Sequence, residues 1–461
     1  MSSSSCEHTA SAPAAATPVE IVELPSEHRI WGNIRVIAWN NLEFFQLCEK
    51  MGGIVKTRGF TTPVYVLHDP RAIADVLVNS PNSFQKPYVL RRLRVLFGNG
   101  LLTSDGDIWK HNRHLVQPAF SAEHLPNFVQ IVQRNTLEMV SSWRDGEERD
   151  LYHDMVELCM KNITQALFGT YDEELANIVR GLAEVCHKLV RYVLGYGGLL
   201  PFLLPGQLKT NLDRNVRDLS RYLDRLIDER SKEASRTDFL GILLSPRQGH
   251  DLPRLNRKAI RDESITILLA GHETSASALV WALYLLAEHP ECANKLAGEL
   301  TALHGEAPSL RDLEHLPYLR GALDESLRLY PPTHRIGRTV KTPVMVGGNL
   351  LPKGAEVLIP QWSVHRSSRW YKDSGHFLPE RWTPEFRRSL PRFAYFPFSG
   401  GPHSCVGGNL AWSEAAVILA VLAQRFRFIR CEKGELAPTG GLTLLPGGGK
   451  FRVKLEKRVS S

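Results

Sequence analysis

The longest apolar run in the chain, Ile265 to Ala287, has one polar interruption, Gly271-His272-Glu273-Thr274-Ser275. Charged residues lead into it (Arg257-Lys258 and Arg261-Asp262-Glu263), Asn256 stands where an N-cap belongs, and Pro290 follows. The pattern predicts one helix over 257–288, roughly 48 Å long at 1.5 Å per residue. A transmembrane helix needs about 20 such residues, but a carboxylate in the middle makes that reading poor. Further helical segments are expected around 121–144, 151–168, 209–234, 310–330 and 406–424. Short alternating runs near 53–67, 339–346 and 355–360 predict strands. Helices dominate, and no long Gly/Ser or Pro run, repeat or charge block marks a linker.

Composition narrows the class. The chain is 43% hydrophobic and 23% charged, as soluble globular proteins are. Its net charge of +7 over 461 residues is too mild to suggest nucleic acid as a partner. Seven cysteines, an odd number with no C-x-x-C, argue for a reducing compartment and against a disulfide framework. Met1 to about Glu20 is Ser/Ala/Pro-rich, without the basic start and apolar core of a signal peptide. A disordered tail over 1–20, no transmembrane anchor and a cytoplasmic location are expected.

The candidate chemistry lies in Phe398-Ser399-Gly400-Gly401-Pro402-His403-Ser404-Cys405-Val406-Gly407. This is a glycine-rich loop with one thiol near its end and an apolar helical run behind it. A helix start stabilises negative charge, so Cys405 can act as a thiolate metal ligand. The glycines let backbone approach a flat ligand. An isolated cysteine is more often a small buried hydrophobe, but five residue types fixed within ten positions favour the ligand.

The spacing Phe-x-x-Gly-x-His-x-Cys-x-Gly resembles the haem-binding loop of the cytochrome P-450 family, in its soluble bacterial type. The resemblance runs from about Pro25 to the C-terminus. It implies a mostly α fold with small β-sheets, a single large domain (21–461) around a buried haem b, and Cys405 as ligand to the iron. Phe398 and Gly401 would shape the loop. His403 stands where many members have arginine, and would bond a haem propionate with more pH sensitivity.

Other motifs take roles from the same resemblance. Ala270 to Ser275 is similar to the oxygen-activation motif, in which Thr274 bonds back to Ala270 and bends the helix. Thr274 and Glu273 would then relay protons. Trp109 and Arg113, at i and i+4, resemble a propionate-binding helix face. Arg338 would hold the other propionate, with Arg335 as its alternative. Glu325-Ser326-Leu327-Arg328 has the family's Glu-x-x-Arg spacing, and its implied third member is Arg381. Glu233–Arg236 and Glu385–Arg388 share that spacing but read as surface pairs. Ser374 stands where the family often has proline.

The resemblance implies a monooxygenase that inserts one atom of O2 into a C–H bond of an apolar small molecule, terpenoid or fatty acyl. Only 56 residues follow Cys405, too few for a flavin reductase domain. A ferredoxin with an NAD(P)H-dependent reductase is therefore the expected electron source, docking near Lys110, His111 and Arg113. Tyr88 to Thr103 and the greasy stretch Val193 to Pro205 are expected to shape the pocket or pack as core. Arg91, Arg92 and Arg94 read as surface charges more readily than as anchors for a substrate carboxylate. Two alternatives stand: a haem-thiolate peroxygenase, isomerase or dehydratase needing no electrons, and a non-catalytic haem- or ligand-binding protein. The Glu273-Thr274 pair weighs against both.

Overall fold

The computed structural model describes residues 17–39, 41–195, 206–230, 232, 238–244 and 255–458. Its longer helices are α1 (Gly106–Val116), α2 (Leu125–Ser141), α3 (Leu151–Phe168), α4 (Glu173–Gly195), α5 (Gly206–Arg230), α6 (Arg257–Glu288), α7 (Pro290–Leu300), α8 (Pro317–Leu329) and α9 (Gly408–Arg425). The central helix α6 has the limits its pattern predicts. Asn256 caps it by accepting the Ala259 N–H at 2.9 Å, and Pro290 opens the next helix. It is buried along nearly its whole length, packed against α3 and α9. Among the described residues no helix is long and apolar enough to cross a membrane.

Several expectations change. The 310–330 segment divides at Pro317, which lacks the N–H an interior turn needs and instead starts α8 at its first position. The 53–67 segment is a hairpin of β2 (Ile54–Gly59) and β3 (Thr62–Leu67). The expected tail ends earlier than residue 20. Val19 is buried, donates its N–H to Gly347 O at 2.7 Å, and accepts from Asn349 at 2.7 Å. Residues 1–16 of that tail lie outside the described residues, as do 196–205 of the greasy stretch and the Glu233–Arg236 pair.

The main sheet has the order β1-β2-β3-β6-β5-β4, with β1 at Ile21–Glu23, β4 at Phe84–Gln85, β5 at Ile336–Val340 and β6 at Glu356–Ile359. The expected 339–346 strand is two pieces: β5, which starts at Ile336, and Val344–Val346 in a separate hairpin. β5 and β4 pair antiparallel, Gln85 opposite Thr339, which brings Lys86 and Arg338 to one end of the sheet. The largest core surrounds Trp281, stacked on Tyr330 at 4.1 Å and donating its indole N–H to Leu444 O at 2.9 Å. Six cysteines among the described residues are free, four of them buried as small hydrophobes.

Candidate active site

The Cys405 loop owes its shape to two close approaches. Gly401 has φ +68°, and a Cβ there would lie 1.9 Å from Leu77 O, so only glycine fits. The Cys405 N–H donates to Phe398 O at 2.9 Å, closing the loop and presenting the thiol. Cys405 has open surface, yet it faces an internal chamber rather than bulk water. Burial raises its pKa, against the opposing pull of the Gly407 N–H just before α9 and of the Arg113 guanidinium. A metal bound there displaces the thiol proton.

The chamber consists of two adjoining cavities of about 400 and 350 Å3 that share Leu90, Leu102, Thr274, Arg335, His403 and Cys405. The first is mostly apolar, with Phe97, Leu269, Ala278 and Leu442 among its walls. The second ends in a cluster of positive and aromatic groups: Lys86, Trp109, Arg113, Arg338 and His403. The Trp109 and His403 rings lie 3.8 Å apart, and Arg113 Nη1 donates to Ser404 O at 2.9 Å.

That cluster is unbalanced. Among the described residues no carboxylate lies within ion-pair distance of Lys86, Arg113, Arg335 or Arg338, though Asp105 and Glu263 act on Lys86, and Asp105 on Arg338, from farther away. Arg338 donates to its neighbour Gly337 O at 2.8 Å, and Arg335 to Ile37 O at 3.2 Å. Burial pushes both arginines down to about 10 and Lys86 down to about 7. Burial also pushes His403 down to about 3, with help from Arg338, Lys86 and Arg113. Buried charge is costly unless paired, so this end of the chamber suits an anion. A planar apolar group with acidic substituents and a metal facing Cys405 fits these walls. Haem, with its propionates, is such a group.

Across the chamber from Cys405 stands α6. Thr274 Oγ1 donates to Ala270 O at 2.7 Å, which leaves its lone pairs free to accept from the cavity. The helix stays continuous through this point. Glu273 is buried beside it. Its Oε1 lies 3.1 Å from Nε2 of His187 on α4, and it accepts the Thr443 hydroxyl. Burial pushes the Glu273 carboxyl up, but His187 and Thr443 outweigh it and the pKa falls below its ordinary value. His187 rises in turn through its hydrogen bond to Glu273. The His187 side chain is 37% exposed and contacts the buried acid.

A second polar knot stabilises the loop from behind. Glu325 and Arg328 of α8 have fully buried side chains and pair at 2.8 Å. Arg381 donates to Glu325 at 2.9 Å, as do the Trp382 indole at 2.9 Å and the Leu378 N–H at 3.1 Å. Arg328 also donates to His365 O at 2.9 Å, Ser374 O at 2.7 Å and His376 O at 3.1 Å. His365 then accepts the Phe396 N–H at 3.0 Å, at the entrance of the Cys405 loop. The Glu385–Arg388 pair is on the surface, with both side chains over 70% exposed.

The structure thus brings Trp109, Arg113, Glu273, Thr274, Arg338, Phe398, His403 and Cys405 to the walls of one chamber, while Gly401 holds the loop from outside it. Arg91, Arg92 and Arg94 line neither cavity; Arg94 donates to Thr103 O at 3.1 Å and Arg92 lies over the Tyr88 ring. Leu90, Phe97, Leu101 and Leu102 represent the expected 88–103 wall. Lys86, His187 and Thr443 were not expected. A buried lysine between two strands leaves no local mark, but α4 does: Leu175, Val179, Leu182, Val185 and Leu189 recur at helical spacing and are all buried.

The comparisons with known proteins agree with this geometry. The sequence matches the Cytochrome P450 family over residues 22–452. It is 31% identical to cyclooctatin synthase of Streptomyces melanosporofaciens, covering 90% of this chain and 92% of the relative. It is also 31% identical to pentalenene oxygenase of Streptomyces avermitilis, covering 91% and 93%. The heme domain of cytochrome P450DA superposes with a TM-score of 0.86 over 96% of this chain and 99% of that one, at 24% identity. The chain belongs to the cytochrome P450 family and is a haem-dependent monooxygenase.

Proposed function

We propose that the protein hydroxylates an apolar terpenoid at a C–H bond, with haem b held by Cys405 and electrons delivered by a ferredoxin and its NAD(P)H-dependent reductase in the cytoplasm. The observation that carries this reading is the chamber itself, a thiol and a threonine facing across an apolar cavity whose far end is cationic. The relatives named for cyclooctatin and pentalenene support the substrate class. Residues 21–461 act as one domain around the cofactor.

Each group has a distinct task. Cys405 ligates the iron, and the arrangement of Trp109, Arg113, Arg338 and His403 suits the propionates. When bound, the haem supplies activation of O2 and transfer of one oxygen atom to carbon. Leu90, Phe97, Leu102 and Leu442 exclude water and orient an apolar substrate by contact alone. Glu273 moves protons between His187 at the surface and the chamber, and Thr274 accepts them at its hydroxyl and hands them on. Lys110 is exposed and His111 partly so, on the outer face of α1, as a donor-docking patch requires.

The test is an optical titration of the ferric protein with terpenes, terpene alcohols and fatty acids. A low-spin to high-spin shift with the terpenoids, followed by a hydroxylated product on reconstitution with ferredoxin and reductase, is expected. A shift with fatty acids alone defeats the substrate class. Product formation from peroxide faster than from the redox partners favours the peroxygenase alternative.

A further inference from the structure

Glu273 lines the apolar cavity and not the cationic one. Its two bonded partners, His187 at 3.1 Å and the Thr443 hydroxyl, meet the same oxygen, Oε1. Among the described residues no group donates to Oε2. The side chain keeps 11% of its surface, and Oε2 is not sealed from the cavity. The neighbouring imidazole on α6 is spoken for, because His272 Nδ1 lies 2.9 Å from Leu268 O. Ala183, Leu269, Ala278 and Leu442, on the same cavity, are apolar. One carboxylate oxygen therefore meets an apolar space with its lone pairs unused, which is costly until a donor arrives.

The carboxylate is held in this position. Thr443 sits in a turn where the Gly441 N–H donates to Thr443 O at 3.1 Å. Leu444, next in the chain, accepts from Ser277 at 2.6 Å and from the Trp281 indole at 2.9 Å, both on α6. Its own N–H donates to Pro332 O at 2.9 Å. The turn that holds Oε1 is thus clamped to the helix that carries Glu273. Oε1 is committed to protein, and Oε2 is a preorganised acceptor.

We propose that Glu273 Oε2 accepts a hydrogen bond from a hydroxyl of the substrate, so that the enzyme takes a terpenoid alcohol rather than a terpene hydrocarbon, with Thr443 as a positioning residue. The proposal rests on the terpenoid reading above and narrows it. A hydrocarbon of the same shape leaves Oε2 stranded or traps a water against it, and an ether brings no hydrogen. A site built around a substrate hydroxyl discriminates strongly against analogues that lack it. Oε1 keeps its contact with His187, so the proton path and the hydroxyl use different oxygens. The hydroxyl fixes one end of the substrate, and its distance from the reacting carbon selects the C–H bond. The reaction that supplies this substrate must already have placed oxygen on the terpene skeleton, by an earlier hydroxylation or by water capture at the end of a cyclisation.

The experiment is an optical titration of the ferric, haem-loaded protein with matched trios: a terpene hydrocarbon, its alcohol, and the methyl ether of that alcohol. The panel contains several regioisomeric alcohols. Wild type is expected to bind at least one alcohol about 10- to 100-fold more tightly than its hydrocarbon and its ether, the range for one hydrogen bond to a charged group. Glu273→Leu should erase that preference without weakening the hydrocarbon, a split that a merely structural role would not give. Thr443→Val keeps the carboxylate and should shrink the preference, again at unchanged hydrocarbon affinity. Equal affinities within every trio overturn the proposal and leave the terpenoid reading standing. A preference that survives Glu273→Leu also overturns it, and one that survives Thr443→Val in full removes Thr443 from the assignment. A spin shift with fatty acids alone defeats the terpenoid reading, and this proposal with it.

Discussion

Glu325→Ala removes the centre of the knot behind the Cys405 loop. The carboxylate accepts from Arg328 twice, from Arg381, from the Trp382 indole and from the Leu378 N–H, and its side chain has no exposed surface. Arg328 is equally buried and, once Glu325 is gone, retains only neutral partners, the carbonyls of His365, Ser374 and His376 and the Tyr371 ring. Stranding a buried charge in this way costs about 3–5 kcal/mol. The orphaned Trp382 and Leu378 donors push toward the upper part of that range. Against a total stability of about 5–15 kcal/mol, this removes from about a fifth to all of the margin. The damage is directed, because Arg328 reaches the Cys405 loop through His365 and Phe396. The assay is urea unfolding followed by circular dichroism, with the haem-to-protein ratio measured after purification. Glu385→Ala is the control. It breaks an ion pair of the same sequence spacing and similar length, 2.9 Å, but both side chains are exposed, so the change should stay within about 1 kcal/mol. An early urea midpoint and poor haem loading are expected of Glu325→Ala alone. Wild-type stability with full haem in that variant would refute the reasoning.

Two further perturbations test the proton path. Thr274→Ala removes the hydroxyl that bonds Ala270 O and faces the chamber, so NAD(P)H consumption should continue while product falls and peroxide appears; fully coupled turnover would rule out a relay through Thr274. The Glu273–His187 pair has a defined pH window. Glu273 is lowered from 4.5, so its contribution is complete above that value and fades as pH falls through the folded-state pKa. His187 is raised from 6.5, so its contribution is complete below 6.5 and is lost as pH rises through its raised value. Cys186, Tyr152, His272 and Thr443 are the other polar groups around this pair, and none carries a compensating positive charge at that pH. Coupling of product to NAD(P)H should therefore decline on the alkaline side of 6.5 in the wild type. His187→Gln should flatten that limb, and an unchanged alkaline limb in the variant would remove His187 from the path.

What could be read from the chain depended on how local its cause was. The limits of α6 follow from Asn256 and Pro290, both within a few residues of its ends. Trp109 and Arg113 share a helix face because they are four residues apart, and the cavity confirms that they face it together. Pro317 shows the reverse case, in which a helical pattern continued through a residue that has no N–H to give. His187 was hidden for a different reason. The apolar recurrence of α4 runs into the greasy stretch 193–205, so the helix lost its visible end and its polar positions lost their face. Thr443 reaches Glu273 across 170 residues of sequence, and Lys86 meets Arg338 only because β4 pairs with β5. Contacts made by sheet pairing or by distant turns have no period to betray them.

The central claim is that Cys405, alone among seven cysteines, ligates the haem iron. The most direct measurement is the optical spectrum of the ferrous carbon monoxide complex of wild type and Cys405→Ser. The wild type should show the strongly red-shifted Soret band of thiolate ligation, and the variant should lose it while its fold, seen by circular dichroism, persists. A thiolate-type band retained in Cys405→Ser, or missing from fully loaded wild type, would contradict the account.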